Sequence, residues 1–233
     1  PISRFDRLKE ELYSPHRFSM DRLAAGGQRV LWGYFKKLVV ADRIGPAASM
    51  ITGSPEIYGG VYALLGIAGH VIQLYADFSG GIDIILGISE MFGIHLPENF
   101  DRPFSSRSLA EFWRRWHISL STWFRDYLYI PLGGNRCAHW KHIRNILAVW
   151  ALTGLWHGAA WNFLCWGLYF GLLLLGEKYG WGRILERAPA ALRHLYAMVL
   201  IVVSWVLFRA ETLDYAVRFL QAMAGFAQGG LTD

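Results

Sequence analysis

Two histidines stand in the most unusual surroundings of this 233-residue sequence. His157 lies within a run of 31 residues, Ile146 to Gly176, that contains no Asp, Glu, Lys or Arg: ILAVWALTGLWHGAAWNFLCWGLYFGLLLLG. His117 lies in WRRWHISLS. Each follows a tryptophan and precedes small or hydroxyl residues. An ionisable side chain in so apolar a run is costly, and it faces a protein interior or a wet cavity. A neutral imidazole there is competent as a general base toward a hydroxyl proton. The competing reading of His157 is a core histidine held by a hydrogen bond between helices.

Other polar residues accompany the pair. Arg114, His117, Ser121 and Arg125 repeat at helical spacing, beside an aromatic stripe of Trp113, Trp116, Leu120, Trp123 and Tyr127. Thr153 and Asn162 flank His157. Asp77, Ser79 and Asp83 in YADFSGGID read equally well as hydrogen-bonding groups between helices. Cys137, His139 and His142 have C-x-H-x-x-H spacing, but a zinc site needs more ligands, and the segment reads as a basic loop with no metal. His16 and Asp21 form an H-x4-D pair without apolar context. The sequence has no nucleophile elbow, P-loop or dinucleotide fingerprint.

The elements that must position these residues read as helices. Residues 57–76 are uncharged and long enough to cross a bilayer, and a shorter or tilted helix follows them. A capping box, Ser108 with Glu111, starts a helix over 108–128, expected to lie tilted or re-entrant with His117 turned inward. The run 146–176 would be ~46 Å long as one helix against a ~30 Å hydrocarbon core. It is therefore predicted as two helices, broken near Gly154, Gly158 or Asn162. Residues 30–50 suit an amphipathic interfacial helix, 1–29 a basic exposed or interfacial segment, 177–193 an amphipathic loop, and 194–208 a short span extended by flanking arginines. The segment from 212 onward has a helical pattern.

Composition agrees. Only 18% of residues are charged, against ~25% in soluble domains, and 54% are hydrophobic. Eleven Trp and eleven Tyr suit the bilayer interface. The net charge of +5 sits in segments between apolar runs, so anionic lipid rather than nucleic acid is the expected partner. Two cysteines make no disulfide framework. The fold class is all-α, a polytopic membrane protein in one domain over 1–233. The first residue is Pro1 and the chain ends in AGFAQGGLTD, which reads as a domain truncated at both ends.

The strings LPENFDRPFSSRSLAEFWRRWHISLSTWFRDYLYIPLGGNR and RNILAVWALTGLWHGAAWNFLCWGLYFG resemble the membrane-bound O-acyltransferase (MBOAT) family, in particular its alginate O-acetyltransferase branch. QLYADFSGGIDIILGISEMFGI and VLWGYFKKLVVADRI resemble that branch too. PLGGNR favours it over the D-alanyl transferase branch, whereas YADFSGGID departs from its usual pattern.

The resemblance implies a helical bundle with a central tunnel in the bacterial inner membrane. It places the family's near-invariant histidine on His157 and its second histidine on His117. It implies transfer of an acetyl or short acyl group from a thioester, acetyl-CoA or an acyl carrier, toward hydroxyls of an exported polysaccharide, with no resident cofactor. A periplasmic or extracellular partner protein would complete the transfer. His157 would take the hydroxyl proton, and His117 would orient the reactants or stabilise the oxyanion. Arg114 and Arg125 would attract the anionic donor or anchor to lipid headgroups, with Trp116, Ser121 and Asn162 among the substrate contacts. D-alanyl transfer to teichoic acid is the alternative within the family. A transporter or channel lined by the same polar residues is the alternative outside it.

Overall fold

The structure, a computed structural model, describes residues 2 and 4–226; the Gly-rich end, 227–233, lies outside them. Among the described residues there are eleven α-helices and no strand. They are α1 (Phe5–Tyr13), α2 (Met20–Tyr34), α3 (Asp42–Gly53), α4 (Gly60–Met91), α5 (Leu109–Arg115), α6 (Ile118–Phe124), α7 (His139–His157), α8 (Trp161–Gly176), α9 (Gly182–Arg187), α10 (Ala190–Arg209) and α11 (Leu213–Met223).

Residues 57–76 and the segment after them prove to be one helix. α4 runs for 32 residues, about 48 Å at 1.5 Å per residue. Asp77 and Asp83 do not end it, because cations from the neighbouring rod meet them. That rod is α2, a π-helical turn over Phe35–Ala41, and α3. Lys37 Nζ lies 3.0 Å from Asp77, and Asp83 takes Lys36 at 2.5 Å and Arg29 at 3.0 Å. Glycines bring the two backbones together. A Cβ on Gly26 would stand 2.5 Å from the carbonyl oxygen of Gly87, and one on Gly33 would stand 2.6 Å from that of Gly80. Such small-residue contacts are the usual way helices approach in a membrane protein. Residues 30–50 are helical as expected. They turn Lys36 and Lys37 toward α4 and expose Leu31, Trp32, Phe35 and Leu38 on the other side.

The helix expected over 108–128 is broken. α5 ends at Arg115, Trp116 is extended, and His117 adopts a left-handed conformation (φ 45°, ψ 54°) before α6 begins. The stripe does not stay on one face: Trp116 and Leu120 on either side of the break are buried, whereas Trp123 and Tyr127 are exposed. The uncharged run does form two helices, with the break between His157 and Trp161. They pack so closely that a Cβ on Gly154 would lie 2.3 Å from the carbonyl oxygen of Phe163, and one on Gly167 would lie 2.2 Å from that of Trp150.

Residues 177–193 are not a loop but a π-helical turn followed by α9. The Trp181 ring packs over Gly176 and its indole N–H donates to the Tyr196 hydroxyl at 2.8 Å, which folds the segment onto α10. α11 starts on a Thr212 cap that accepts the Tyr215 N–H. The core lies where α4, α5, α8, α10 and α11 meet, around Ile67, Phe112, Trp166, Phe170, Ile201 and Phe219. α4 and α10 are long and apolar enough to cross a membrane. α8 has 16 residues, about 24 Å, and is shorter than the ~30 Å hydrocarbon core.

Candidate active site

α5 is only seven residues long, so its position depends on its ends. Ser108 accepts the Glu111 N–H at 3.1 Å, and Glu111 returns to accept the Arg107 N–H at 2.8 Å. This is the expected Ser108–Glu111 box, with the return hydrogen bond taken one residue before the cap, at Arg107. Glu177, from the turn after α8, adds a carboxylate that accepts the N–H groups of Leu109 (2.8 Å) and Ala110 (3.1 Å). An acidic group at a helix N-terminus is electrostatically favoured there. Leu109 and Phe112 then bury completely, each worth about 1.5–3 kcal/mol.

The far end of α5 delivers His117. Asn99, fully buried in the loop before it, holds the break from two sides. Its backbone carbonyl accepts the Ile118 N–H at 3.0 Å. Its side-chain oxygen accepts the Ser119 N–H at 2.9 Å and the Ser119 hydroxyl at 2.8 Å. The His117 ring packs edge-on to Phe78 at 4.8 Å between centroids and faces Trp156 at 6.3 Å.

His157 is the last residue of α7. Its ring is framed by Trp156, Trp166 and Phe208, with centroids 4.9–5.1 Å away. No hydrogen bond from its imidazole is formed among the described residues, so no partner of the kind a structural histidine would have is present. The C-terminal end of a helix favours positive charge, so an imidazolium formed here would gain from the macrodipole.

Both histidines line one cavity of about 860 Å³. Its walls continue from Trp113, Trp116, Trp166 and Trp205 around the histidines to His142, Lys178 and Arg193. Arg114, Ser121 and Arg125 also line it. Arg114 is exposed and pairs with no carboxylate among the described residues. Arg125 is engaged by its neighbour Asp126 at 2.8 Å. Trp116 lines the cavity but is 5% exposed, stacked on Phe112 and packed against Trp205.

Asn162 is not brought to the cavity. It is buried, and its side-chain amide donates to the carbonyl of Ala210 at 2.8 Å, tying the start of α8 to the end of α10. Proximity to His157 in sequence suggested a substrate contact, but α8 turns away from the break and carries Asn162 into the helix packing. His142 is held between aromatic hydroxyls. Tyr179 lies 2.6 Å from Nδ1, while Tyr129 at 2.7 Å and Lys178 at 2.9 Å face Nε2. Burial lowers the Lys178 pKa from its ordinary value and raises that of Tyr129.

Sequence reasoning missed Asn99 and Glu177. Asn99 stands within the LPENF string already noted, yet nothing there indicates that it reaches a histidine 18 residues on. Glu177 is the first charged residue after the uncharged run, a signal that could have marked it.

The sequence pattern of the MBOAT, membrane-bound O-acyltransferase family matches residues 14–213. The chain belongs to that family. It is 42% identical to a protein of Azotobacter vinelandii named probable alginate O-acetylase AlgI, over all of this chain and 46% of that protein. It is 38% identical to the peptidoglycan O-acetyltransferase of Helicobacter pylori over 83% of this chain and 37% of that protein. It is 32% identical to the teichoic acid D-alanyltransferase of Bacillus subtilis over 78% of this chain and 50% of that protein. The chain thus spans half or less of the length of these relatives.

Proposed function

We propose that this chain carries the acyl-transfer centre of a membrane O-acyltransferase that moves an acetyl or other short acyl group from a thioester toward hydroxyls of an exported polysaccharide, as in alginate O-acetylation. The observation that carries the reading is the single cavity shared by His117 and a His157 that has no hydrogen-bond partner among the described residues. In the reaction the acceptor hydroxyl gives its proton to a nitrogen of His157 as its oxygen attacks the thioester carbonyl carbon. The tetrahedral oxyanion is held by His117. Its collapse breaks the C–S bond, and the departing thiolate takes the proton back from the His157 imidazolium. No metal or redox group enters this balance.

The donor is acetyl-CoA or an acyl carrier thioester, and its anionic part is drawn by Arg114, one of three cavity-wall cations, with Lys178 and Arg193, that pair with no carboxylate among the described residues. Residues 1–233 act as one multi-pass domain of a bacterial inner membrane. The short helices α5 and α6 form a re-entrant element, and the cavity is part of a tunnel between donor and acceptor sides. A periplasmic or extracellular acyltransferase partner takes the acyl group onward to the polymer. The greater identity to the alginate enzyme than to the D-alanyl transferase favours acetyl over D-alanyl.

The test uses the intact protein in liposomes with radiolabelled acetyl thioester and a hydroxylated acceptor. His157→Gln keeps bulk and polarity but accepts no proton. It is expected to cut transfer by ~10²–10⁴-fold with insertion and thermal stability retained. Near-normal transfer by His157→Gln would end the general-base reading. Solute conductance without thioester consumption by the unaltered protein would replace the enzyme with a transporter.

A further inference from the structure

We infer that Asn99 is a positioning residue that fixes the tautomer of His117, leaving its Nε2–H as a hydrogen-bond donor toward the cavity. The inference rests on the acyl-transfer reading for its consequence, but its geometric content stands separately. The Ser119 backbone N–H lies 2.9 Å from one side-chain atom of Asn99. A backbone N–H can only donate, so that atom is the carbonyl oxygen, and the orientation of the amide is settled. The Ser119 hydroxyl, at 2.8 Å, occupies the second lone pair of the same oxygen.

The amide nitrogen is therefore the atom left for His117, and it lies 3.2 Å from Nδ1. An amide N–H also only donates, so Nδ1 must present its lone pair. The proton of the neutral ring then sits on Nε2. The competing contact, Nδ1 to the Asn99 oxygen, is longer at 3.4 Å and meets an oxygen already accepting two hydrogen bonds. No group among the described residues hydrogen-bonds Nε2, and His117 lines the cavity.

The two histidines thereby divide the work. His117 gives a hydrogen bond through Nε2 to the oxyanion, and the unpartnered His157 takes the proton. The left-handed backbone at His117 supports the same end. A non-glycine residue in that region is strained and is retained where the surroundings over-determine it. Here Asn99 grips the residues on its C-terminal side through both its backbone and its side chain.

Solid-state nitrogen NMR of the intact, histidine-labelled protein at mildly alkaline pH reads the tautomer directly, with His117→Gln identifying the signals. The expected spectrum has an unprotonated Nδ1 and a protonated Nε2 at His117. A protonated Nδ1 in the unaltered protein overturns the inference, whether or not the protein transfers acyl groups. Asn99→Asp is the kinetic companion. Its carboxylate still accepts both Ser119 hydrogen bonds, so the fold is kept, but it can only accept from Nδ1. The proton is expected to move to Nδ1, and kcat to fall about 100-fold with the donor KM unchanged. A kcat within twofold of the unaltered protein, with the nitrogen spectrum of Asn99→Asp showing a neutral His117 protonated on Nδ1, would overturn the positioning role.

Discussion

Between α4 and the rod of α2, the π-helical turn and α3, Asp77 and Asp83 of the seam each meet a cation. Asp83 has Arg29 and Lys36, Asp77 has Lys37, and Glu98 closes the group on Arg29 at 2.6 Å. Around the cavity, whose wall also carries Arg114, Lys178 and Arg193, two histidines are set among indoles and phenyl rings. Among the described residues His117 has one amide partner and His157 has none. Both regions place polar groups between apolar helices, where an unsatisfied group is expensive. The seam removes that expense by pairing. The cavity instead leaves His157 open to the space it lines, and a titratable group kept there without a protein partner among the described residues is a place for a ligand to bind. The difference separates groups that hold the helices from groups that await substrate.

The contrast is broken most directly by exchanging its two outcomes. If the division is right, His157→Gln lowers turnover by ~10²–10⁴-fold while the unfolding temperature in detergent stays close to that of the unaltered protein. Asp83→Asn should do the reverse. It leaves Lys36 and Arg29 a neutral amide where they shared a carboxylate, with the Ser79 hydroxyl 3.3 Å from Lys36. Breaking one side of a largely buried ion pair costs about 3 kcal/mol. Turnover per folded molecule should persist, because Asp83 does not line the cavity. A turnover loss in Asp83→Asn without loss of stability would mean that the seam takes part in the reaction.

Asn162→Ala tests the same division inside the cavity's own helices. It leaves the Ala210 carbonyl without its buried donor and should cost about 1–3 kcal/mol in thermal or denaturant unfolding. Acyl transfer per folded molecule and the donor KM should be unchanged. A raised KM with normal stability would return Asn162 to the substrate contacts.

The parts of this arrangement that the sequence made legible are those with local causes. The Ser108–Glu111 box, the helical pattern of 30–50 and the division of 146–176 all depend on neighbours within a few positions. His117 and His157 could be selected for their surroundings alone. What stayed hidden depends on partners far along the chain. Asp77 looked like the end of one span and the start of a shorter helix carrying Asp83, but Arg29, Lys36 and Lys37 neutralise both carboxylates within a continuous α4. The break at Trp116 runs against a helical spacing that continues to Tyr127, because Asn99 takes the backbone and side-chain hydrogen bonds that would otherwise serve the helix. Asn162 looked functional beside His157 until the geometry of the 158–160 break turned it toward Ala210.

Two lysines give the smallest and sharpest version of the comparison. Hydrogen bonds to Asp42 and then Asp77 raise the Lys37 pKa above its ordinary value of 10.5, whereas burial near the cavity lowers that of Lys178 below the same value. Linkage gives these shifts opposite signs. Lys37 binds its proton more tightly when folded, so its stabilisation is complete below the unfolded value and fades as pH rises through the higher folded value. Lys178 binds its proton less tightly when folded, so its unfavourable contribution fades as pH rises from the lowered folded value toward 10.5. Both lysines are substantially exposed, so the effects are small and the slopes matter more than the sizes. Thermal unfolding in detergent from neutral to alkaline pH, for the unaltered protein, Lys37→Met and Lys178→Met, reads them by difference. With rising pH the unaltered protein should lose its advantage over Lys37→Met and gain on Lys178→Met. Slopes of the same sign would show that one of the two lysines sits in the other's kind of environment, and the contrast between the paired seam and the desolvated cavity wall would fail at that point.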